Sequence, residues 1–347
     1  MSIFNYFSKD IGIDLGTVNS LVYVKGKGIV ISEPSLAAVN NKTSQVLAIG
    51  EEAKKMVGRT PSHISVIRPL IGGVVSDFDM TQEMLRHFLR KISRNRLWNY
   101  YRAVIGVPSN LTEVEKKSVE DAVISAGAAN TYIIEEPIAA ALGARLPIDE
   151  PTANMIVDIG GGTTEIGIIS MGSTVTARSL KIAGDRLNED IARYIREEFK
   201  LAIGEPTAEE LKINIGSAVA IDERLEMPNR GRDMATGLPK ELVIKSSQVR
   251  AAINKSLRAI VEAIKEVIEI APPELVGDIL RQGIYLCGGG SLLRGMDQLI
   301  EREITVKVSL VDEPLTCVVR GAGIAAENIE AYSQIFITPL KPMEINV

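Results

Sequence analysis

Polar and apolar positions along the chain follow two periods, and the switches between them mark out the elements. From residue 11 to 50 the alternation is two. Leu21-Val-Tyr-Val24, Gly28-Ile-Val-Ile31 and Leu36-Ala-Ala-Val39 read as strands, with Asn40-Asn41 as a turn. Residues 51–57 read as a short helix. Thr81 is expected to open a longer helix, because Met84, Leu85, Phe88, Leu89 and Ile92 recur at helical spacing. A buried strand at 103–108 precedes a helix at 112–126, announced by the capping box Thr112…Glu115. Residues 132–134 form another strand, which runs into Glu135-Glu136-Pro137 and a helix at 138–143. Proline suits a first helical turn, where its missing N–H costs nothing. Further on, helices are expected at 185–200, from a second capping box at Thr207–Glu210, and at 247–270, with a polar loop or hairpin at 222–240 between the last two. Pro272-Pro273 ends the last of these. A strand at 283–287 and a small-residue helix from Arg320 close the series. Strands alternating with helices indicate the α/β class.

Two hairpins within this pattern share one grammar. In Met155-Ile-Val-Asp-Ile-Gly-Gly-Gly-Thr-Thr-Glu-Ile-Gly-Ile-Ile169, an apolar strand delivers Asp158 to a turn of Gly160, Gly161 and Gly162, then Thr163 and Thr164, and a second apolar strand leaves. Upstream, Ile11 to Val24 repeats it with Asp14, Gly16, Thr17 and Ser20. Glycine lets a ligand approach the backbone closely, and successive N–H groups in such a turn can cradle a phosphate. An acid at the mouth suits Mg²⁺, which prefers oxygen ligands and keeps several waters. Either hairpin alone is equally an ordinary polar turn. The matched pair points to two similar half-molecules facing one nucleotide. A third glycine turn, Gly288-Gly-Gly-Ser291, follows the strand at 283–287 and is placed to contact a nucleoside. Glu135 and Glu136 stand where a strand becomes a helix, a place where ligands collect in open α/β sheets. Glu209 and Lys212 share a helical face, as a surface ion pair or as part of a site. Gly321-Ala-Gly-Ile-Ala-Ala326 matches the dinucleotide pattern, but no βαβ unit or ribose acid follows it, and no Walker A motif occurs.

Length and composition narrow the classes. At 347 residues the chain exceeds what one core usually serves, so two domains are expected. A net charge of −5 gives no overall argument for nucleic-acid binding. The two histidines, His63 and His87, have no metal spacing, which argues against a zinc site or a histidine base. Cys287 and Cys317 lie in apolar stretches and read as buried thiols. No secretory signal is evident, and no apolar run approaches the roughly 20 residues of a membrane span. Two short stretches are nonetheless unusual. Ile3, Phe4, Tyr6 and Phe7 crowd the N-terminus, as a docked tail or an interfacial anchor. Leu97 and Trp98, the single tryptophan, sit among Lys91, Arg94, Arg96 and Arg102, as inward-packing loop residues or a lipid contact.

Five segments occur in the order found in the actin, heat-shock chaperone and sugar kinase superfamily. They are the first phosphate hairpin, a connecting helix at Glu136-Pro-Ile-Ala-Ala-Ala141, the second phosphate hairpin, the adenosine turn at 288–295 and a second connecting helix at 321–326. Within that superfamily the chain most closely resembles the bacterial actins, over about residues 10–327. Gly58-Arg-Thr-Pro61, Ile67-Arg-Pro69, Asp77-Phe-Asp79 and Pro272-Pro-Glu-Leu275 are among the matching stretches. Val18 and Ser20 differ conservatively from the family's first hairpin, whereas Leu70-Ile-Gly-Gly73 replaces a stretch that is usually charged.

The resemblance implies an actin-like fold in two similar domains, each with a small inserted subdomain, and ATP with Mg²⁺ in the central cleft. The first large subdomain would comprise 1–31 and 80–146, with the C-terminal helix returning near 325–347, and 32–79 its small partner. The second would comprise 147–182 and 244–324, with 183–243 inserted. Asp14 and Asp158 would hold Mg²⁺ through its waters. Thr17, Val18, Asn19 and Gly160–Gly162 would grip the phosphates. Glu209, Glu210, Leu211 and Lys212 would face the nucleoside opposite Gly288, Gly289, Gly290 and Ser291. Glu136 would orient the attacking water, with Glu135 as its rival and Thr163 assisting. The implied protein is a slowly hydrolysing cytoskeletal ATPase. It assembles with itself into filaments on the inner face of the cytoplasmic membrane, through Ile3, Phe4, Phe7, Leu97 and Trp98. There it works with membrane proteins of the elongation machinery and organises wall synthesis in rod-shaped cells. A chaperone ATPase or a small-molecule kinase of the same fold is the alternative.

Overall fold

The computed structural model describes residues 9–92, 101–221 and 225–337. Ile3, Phe4, Phe7, Leu97 and Trp98, the expected membrane contacts, lie outside the described residues.

The chain builds the same sheet twice. In the first, strand Lys9–Leu15 pairs antiparallel with Asn19–Val24, which pairs antiparallel with Gly28–Pro34. On its other side Lys9–Leu15 pairs parallel with Tyr101–Val107, and that strand with Ala128–Glu135. In the second, Asn154–Ile159 pairs antiparallel with Thr164–Ser170, which pairs with Ser173–Leu180. Asn154–Ile159 also runs parallel to Ile284–Cys287, and that strand to Val308–Leu310. The first sheet gains one edge strand, Phe336–Ile337, so the chain returns to it near its end. Central strands covered on both faces are near-continuously apolar. Every residue of Asn154–Ile159 and Thr164–Ser170 is buried accordingly.

Helices Phe78–Ile92 and Glu113–Ala126 cover the outer face of the first sheet, placing Met84, Leu85 and Phe88 against Ile11, Ile13 and Ile105. Gly184–Phe199 and Ser246–Glu269 do the same for the second, with Leu187, Ile191, Ile253 and Ile260 in its core. Between the sheets, helices Glu136–Gly143 and Cys317–Glu327 cross at backbone contact. A Cβ on Gly143 would overlap the Cys317 carbonyl, and one on Gly321 the Ala139 carbonyl. Only glycine fits both positions, and alanines fill the rest of the crossing.

Two smaller sheets sit on the large ones. One comprises Gln45–Ile49, Ala37–Asn40 and Ile64–Ile67, and the other Leu201–Ala202, Glu226–Asp233 and Pro239–Lys245. These four sheets are the basis on which we propose four subdomains. The strand Gly28–Pro34 would carry the first boundary to 34, and Pro239–Lys245 the last to 245.

Several helix ends differ from expectation. The second helix begins at Phe78, not Thr81. Asp77 accepts the Met80 N–H at 3.0 Å, and the Thr81 hydroxyl bonds back to the Asp77 carbonyl at 2.7 Å, one turn inside. Helix Glu205–Ile215 starts after Gly204, because Pro206 pre-sets the first turn; Thr207 caps nothing. The last long helix begins at Cys317, three residues before Arg320. The box at Thr112 and Glu115 forms as expected, with Thr112 N–H donating to Glu115 at 2.8 Å.

Candidate functional site: a cleft between two phosphate-type hairpins

The two Asp-Gly-Thr hairpins meet. A Cβ on Gly161 would overlap Val18, and one on Gly162 the Thr17 side chain. Below them opens a cleft of about 510 Å³, within the roughly 300–1,000 Å³ of small-molecule sites. Both halves line it. Asp14, Gly16, Thr17, Val18, Asn19 and Glu136 come from the first, and Asp158, Gly160, Gly161, Gly162 and Thr163 from the second. Asp14 and Asp158 occupy the same station, the penultimate residue of the first hairpin strand.

Four carboxylates form the floor at this end: Asp14, Glu136, Asp158 and Glu165. Burial pushes the Asp14 carboxyl up to about 7. Glu136 is raised well above the ordinary range, first by burial and then by the charges of Glu165, Asp14 and Asp158. Asp158 is raised by burial and by Asp14. Buried like charges without a counter-ion behave in this way. The basic residues lining the cleft, Lys212 and Arg294, are engaged elsewhere: Lys212 bonds the Gly184 carbonyl at 2.9 Å, and Arg294 the Ile213 carbonyl at 3.0 Å. The floor therefore calls for a cation from outside the chain. No group of three or more acidic, His or Cys side chains among the described residues closes into a direct metal cage. A Mg²⁺ that keeps its waters and rests on Asp14 and Asp158 fits this donor set.

Glu135 and Glu136 are separated by the turn into the helix. Glu136 faces the cleft, whereas Glu135 faces away and accepts a hydrogen bond from Thr174. Adjacent side chains at a strand's end point to opposite faces.

The far end of the cleft is lined by Glu209, Lys212, Ile213, Gly288, Gly289, Gly290, Leu292 and Leu315, a slot with apolar walls and a few polar groups. Three residues expected there are not in the lining. Leu211 is fully buried in the second core, because it lies on the helix face opposite the slot. Glu210 points outward to solvent. Ser291 turns inward, its hydroxyl bonding the Gly288 carbonyl at 2.6 Å, so it shapes the turn.

The sequence reading did not single out Glu165 and its partners. Glu165 is buried opposite Asp158 in the hairpin, and its carboxylate accepts from the Ser109 N–H at 3.2 Å and the Ser109 hydroxyl at 2.9 Å, and from Ser179. A lone acid in the apolar strand Thr164–Ser170 was the available signal. Arg68 was also missed. It bonds the Thr17 carbonyl at 3.3 Å and pairs with Glu205 across the cleft, while the Gly73 N–H donates to the Thr17 hydroxyl at 3.1 Å.

Comparison with known proteins agrees with this architecture. The family model described as MreB/Mbl protein matches residues 8–334. The cell shape-determining protein Mbl of Bacillus subtilis (strain 168) is 47% identical over 324 residues, which cover 93% of this chain and 97% of that protein. The cell shape-determining protein MreB of Escherichia coli (strain K12) is 44% identical over 331 residues, 94% of this chain and 95% of that one. Among solved structures, MreB 5 of Spiroplasma citri bound to AMPPNP superposes with a TM-score of 0.90 at 40% identity, covering 94% of this chain and 98% of that one. With the duplicated sheets, the paired hairpins and matches over almost the whole chain, this protein belongs to the MreB/Mbl family of actin-like proteins.

Proposed function

We propose that this actin-like, cell shape-determining protein binds ATP with Mg²⁺ in the cleft and hydrolyses it slowly to ADP and phosphate. We propose further that turnover times its assembly into filaments with copies of itself on the inner face of the cytoplasmic membrane. The carrying observation is the floor of four carboxylates between two glycine-threonine hairpins. A triphosphate with its metal satisfies both features, because N–H groups meet phosphate oxygens above while the acids meet a cation below. The AMPPNP on the Spiroplasma relative is of that chemical class.

Each residue's part follows from its place. The backbone of Thr17 to Asn19 and of Gly160 to Gly162 cradles phosphate oxygens from two sides. Asp14 and Asp158 would hold the metal through its waters, and it would supply neutralisation of the phosphate charge. Glu136, beside these hairpins, accepts a hydrogen bond from the attacking water and orients it in line, while Thr163 fixes the phosphate end of that path. Its raised affinity for a proton suits a group that takes one as the water attacks. Glu209, Lys212 and the Gly288–Gly290 turn enclose the nucleoside.

The test is light scattering and phosphate release from the purified chain after addition of ATP and Mg²⁺, with and without anionic liposomes. Scattering should rise with nucleotide and phosphate should follow at a slower rate. A soluble, non-scattering protein that turns over ATP only when a small-molecule acceptor is supplied would establish the kinase alternative.

A further inference from the structure

The rim of the cleft carries one connection that the proposed reaction does not use. Arg68 follows the strand Ile64–Ile67 of one small sheet, and Glu205 opens the helix Glu205–Ile215 beside the other. One guanidinium nitrogen of Arg68 donates to the Thr17 carbonyl at 3.3 Å, and a second donates to the Glu205 carboxylate. Among the described residues, no other hydrogen bond or ion pair joins residues 35–79 to residues 183–245. Both ends of this connection lead to the site. On the first side the same segment holds Thr17 twice, since the Gly73 N–H also donates to its hydroxyl at 3.1 Å. The carbonyl and the following N–H of a trans peptide point opposite ways. A Thr17 carbonyl fixed on Arg68 therefore turns the Val18 N–H away from Arg68. The Val18 nitrogen lies 3.6 Å from where a Cβ on Gly161, in the other hairpin's turn, would stand. On the second side, Glu205, Glu209 and Lys212 recur at helical spacing and share one stripe. Glu209 and Lys212 line the cleft, and Glu205 continues their stripe to the rim. The link lies where it can open, for the Glu205 side chain is 47% exposed and that of Arg68 25%. An ion pair so placed is weak and screened by salt, which suits one that breaks in each round of exchange.

We propose that Arg68 is a positioning residue that clasps the cleft. It holds the first phosphate-type hairpin with one nitrogen and the helix lining the nucleoside end with another, and nucleotide is released when the pair with Glu205 opens. The link to release rests on the cleft being the nucleotide site. The clasp between the two small sheets does not. Arginine is the residue type this needs, because a planar guanidinium presents its nitrogens in a fixed fork, whereas lysine is a single point charge on a flexible stem.

The experiment loads the full-length chain with fluorescent ADP and Mg²⁺ and follows release on chasing with unlabelled ADP. Glu205→Gln should speed release by about two- to five-fold, the range of a partly exposed ion pair, and Arg68→Ala by more, since it also frees the Thr17 carbonyl. Arg68→Lys should fall between the parent and Arg68→Ala. Glu205→Gln added to Arg68→Ala should change nothing further. Release at the parent rate from both single variants, or the same acceleration by Glu205→Gln with and without Arg68, overturns the clasp. A second measurement needs no nucleotide. Leu47 and Leu238 are exposed, one in or beside each small sheet, and the native cysteines are buried. Spin labels on Leu47→Cys and Leu238→Cys should show a wider spread of distances with Arg68→Ala than with Arg68 present. An unchanged spread overturns the clasp. If fluorescent ADP fails to bind the parent while the spread still widens, it is the reading of the cleft that fails.

Discussion

Glu165 of the second half-molecule reaches Ser109 of the first, accepting from its N–H at 3.2 Å and its hydroxyl at 2.9 Å, next to the Glu136 carboxylate. One acid thus joins the halves and loads charge onto the group proposed to orient water. Burial raises the Glu165 carboxyl and the serine bonds oppose that rise, leaving it above its ordinary range. Glu165→Gln should weaken the junction and relieve Glu136. In a double-mutant cycle with Ser109→Ala the two losses should fail to add, since a charged hydrogen bond contributes about 1.5–3 kcal/mol. Additive losses in denaturant unfolding would show that the two residues act separately.

Glu136→Gln should lower phosphate release by about 10²–10⁴-fold and leave nucleotide affinity within a few-fold, because the group acts on water and not on bound nucleotide. Rates are read by phosphate release and affinity by titration with a fluorescent nucleotide. Glu135→Gln should leave hydrolysis nearly unchanged, since its carboxylate faces Thr174.

Asp158→Ala should weaken nucleotide binding more in Mg²⁺ than in EDTA. An equal loss in both media would make Asp158 a turn residue with no part in holding the metal.

Asp14 carries a pH signature. Its carboxyl binds a proton more tightly in the folded chain, near 7, than at the ordinary 3.8. A group shifted in that direction favours the folded state fully below about pH 4, and the benefit is lost as pH rises through about 7, by at most ~1.4 kcal/mol per unit. In nucleotide-free, metal-free protein, Asp14→Asn should therefore melt above the parent at about pH 8, with the gap narrowing towards about pH 5. Mg²⁺-nucleotide affinity of the parent should run the opposite way and strengthen with pH. A gap that widens on acidification would reverse the sign and refute the assignment.

Leu97→Ser with Trp98→Ser should leave assembly intact and remove much of the binding to anionic liposomes. Burying two such side chains contributes about 1.5–3 kcal/mol each, and a filament repeats the contact. Deleting residues 2–7 should weaken what remains. If the double variant sediments with liposomes as the parent does, the N-terminal segment carries the attachment.

The two hairpins were legible because their function needs rare residue types at fixed offsets: Asp, then Gly, then Thr. The same holds for the Thr112 capping box, a local hydrogen-bond pattern. Helix starts were misplaced where the capping signal was a residue outside the periodic run, as at Asp77, or where Pro206 replaced a capping side chain. Glu210, Leu211 and Ser291 were placed at the site by proximity along the chain. A helix turns by about 100° per residue, so the neighbours of Glu209 and Lys212 need not share their face. Arg68, Ser109 and Cys317 come from elsewhere in the chain, and their contacts with the cleft arise from tertiary packing that no local pattern encodes.

The doubled sheet makes the departures from symmetry informative. The residue opposite Asp158 across its hairpin is Glu165, while the one opposite Asp14 is Leu21. The helix after the fifth strand of each large sheet opens with Glu136 in one half and with Cys317 in the other. A molecule with two equal halves would offer its ligand two equivalent directions of approach. In the reaction proposed above water is prepared on one side only, by Glu136, and the opposite wall carries Cys317. The proposed site thus has a handedness: a duplicated frame would hold the phosphates, and a few unmatched side chains would decide from which side they are attacked.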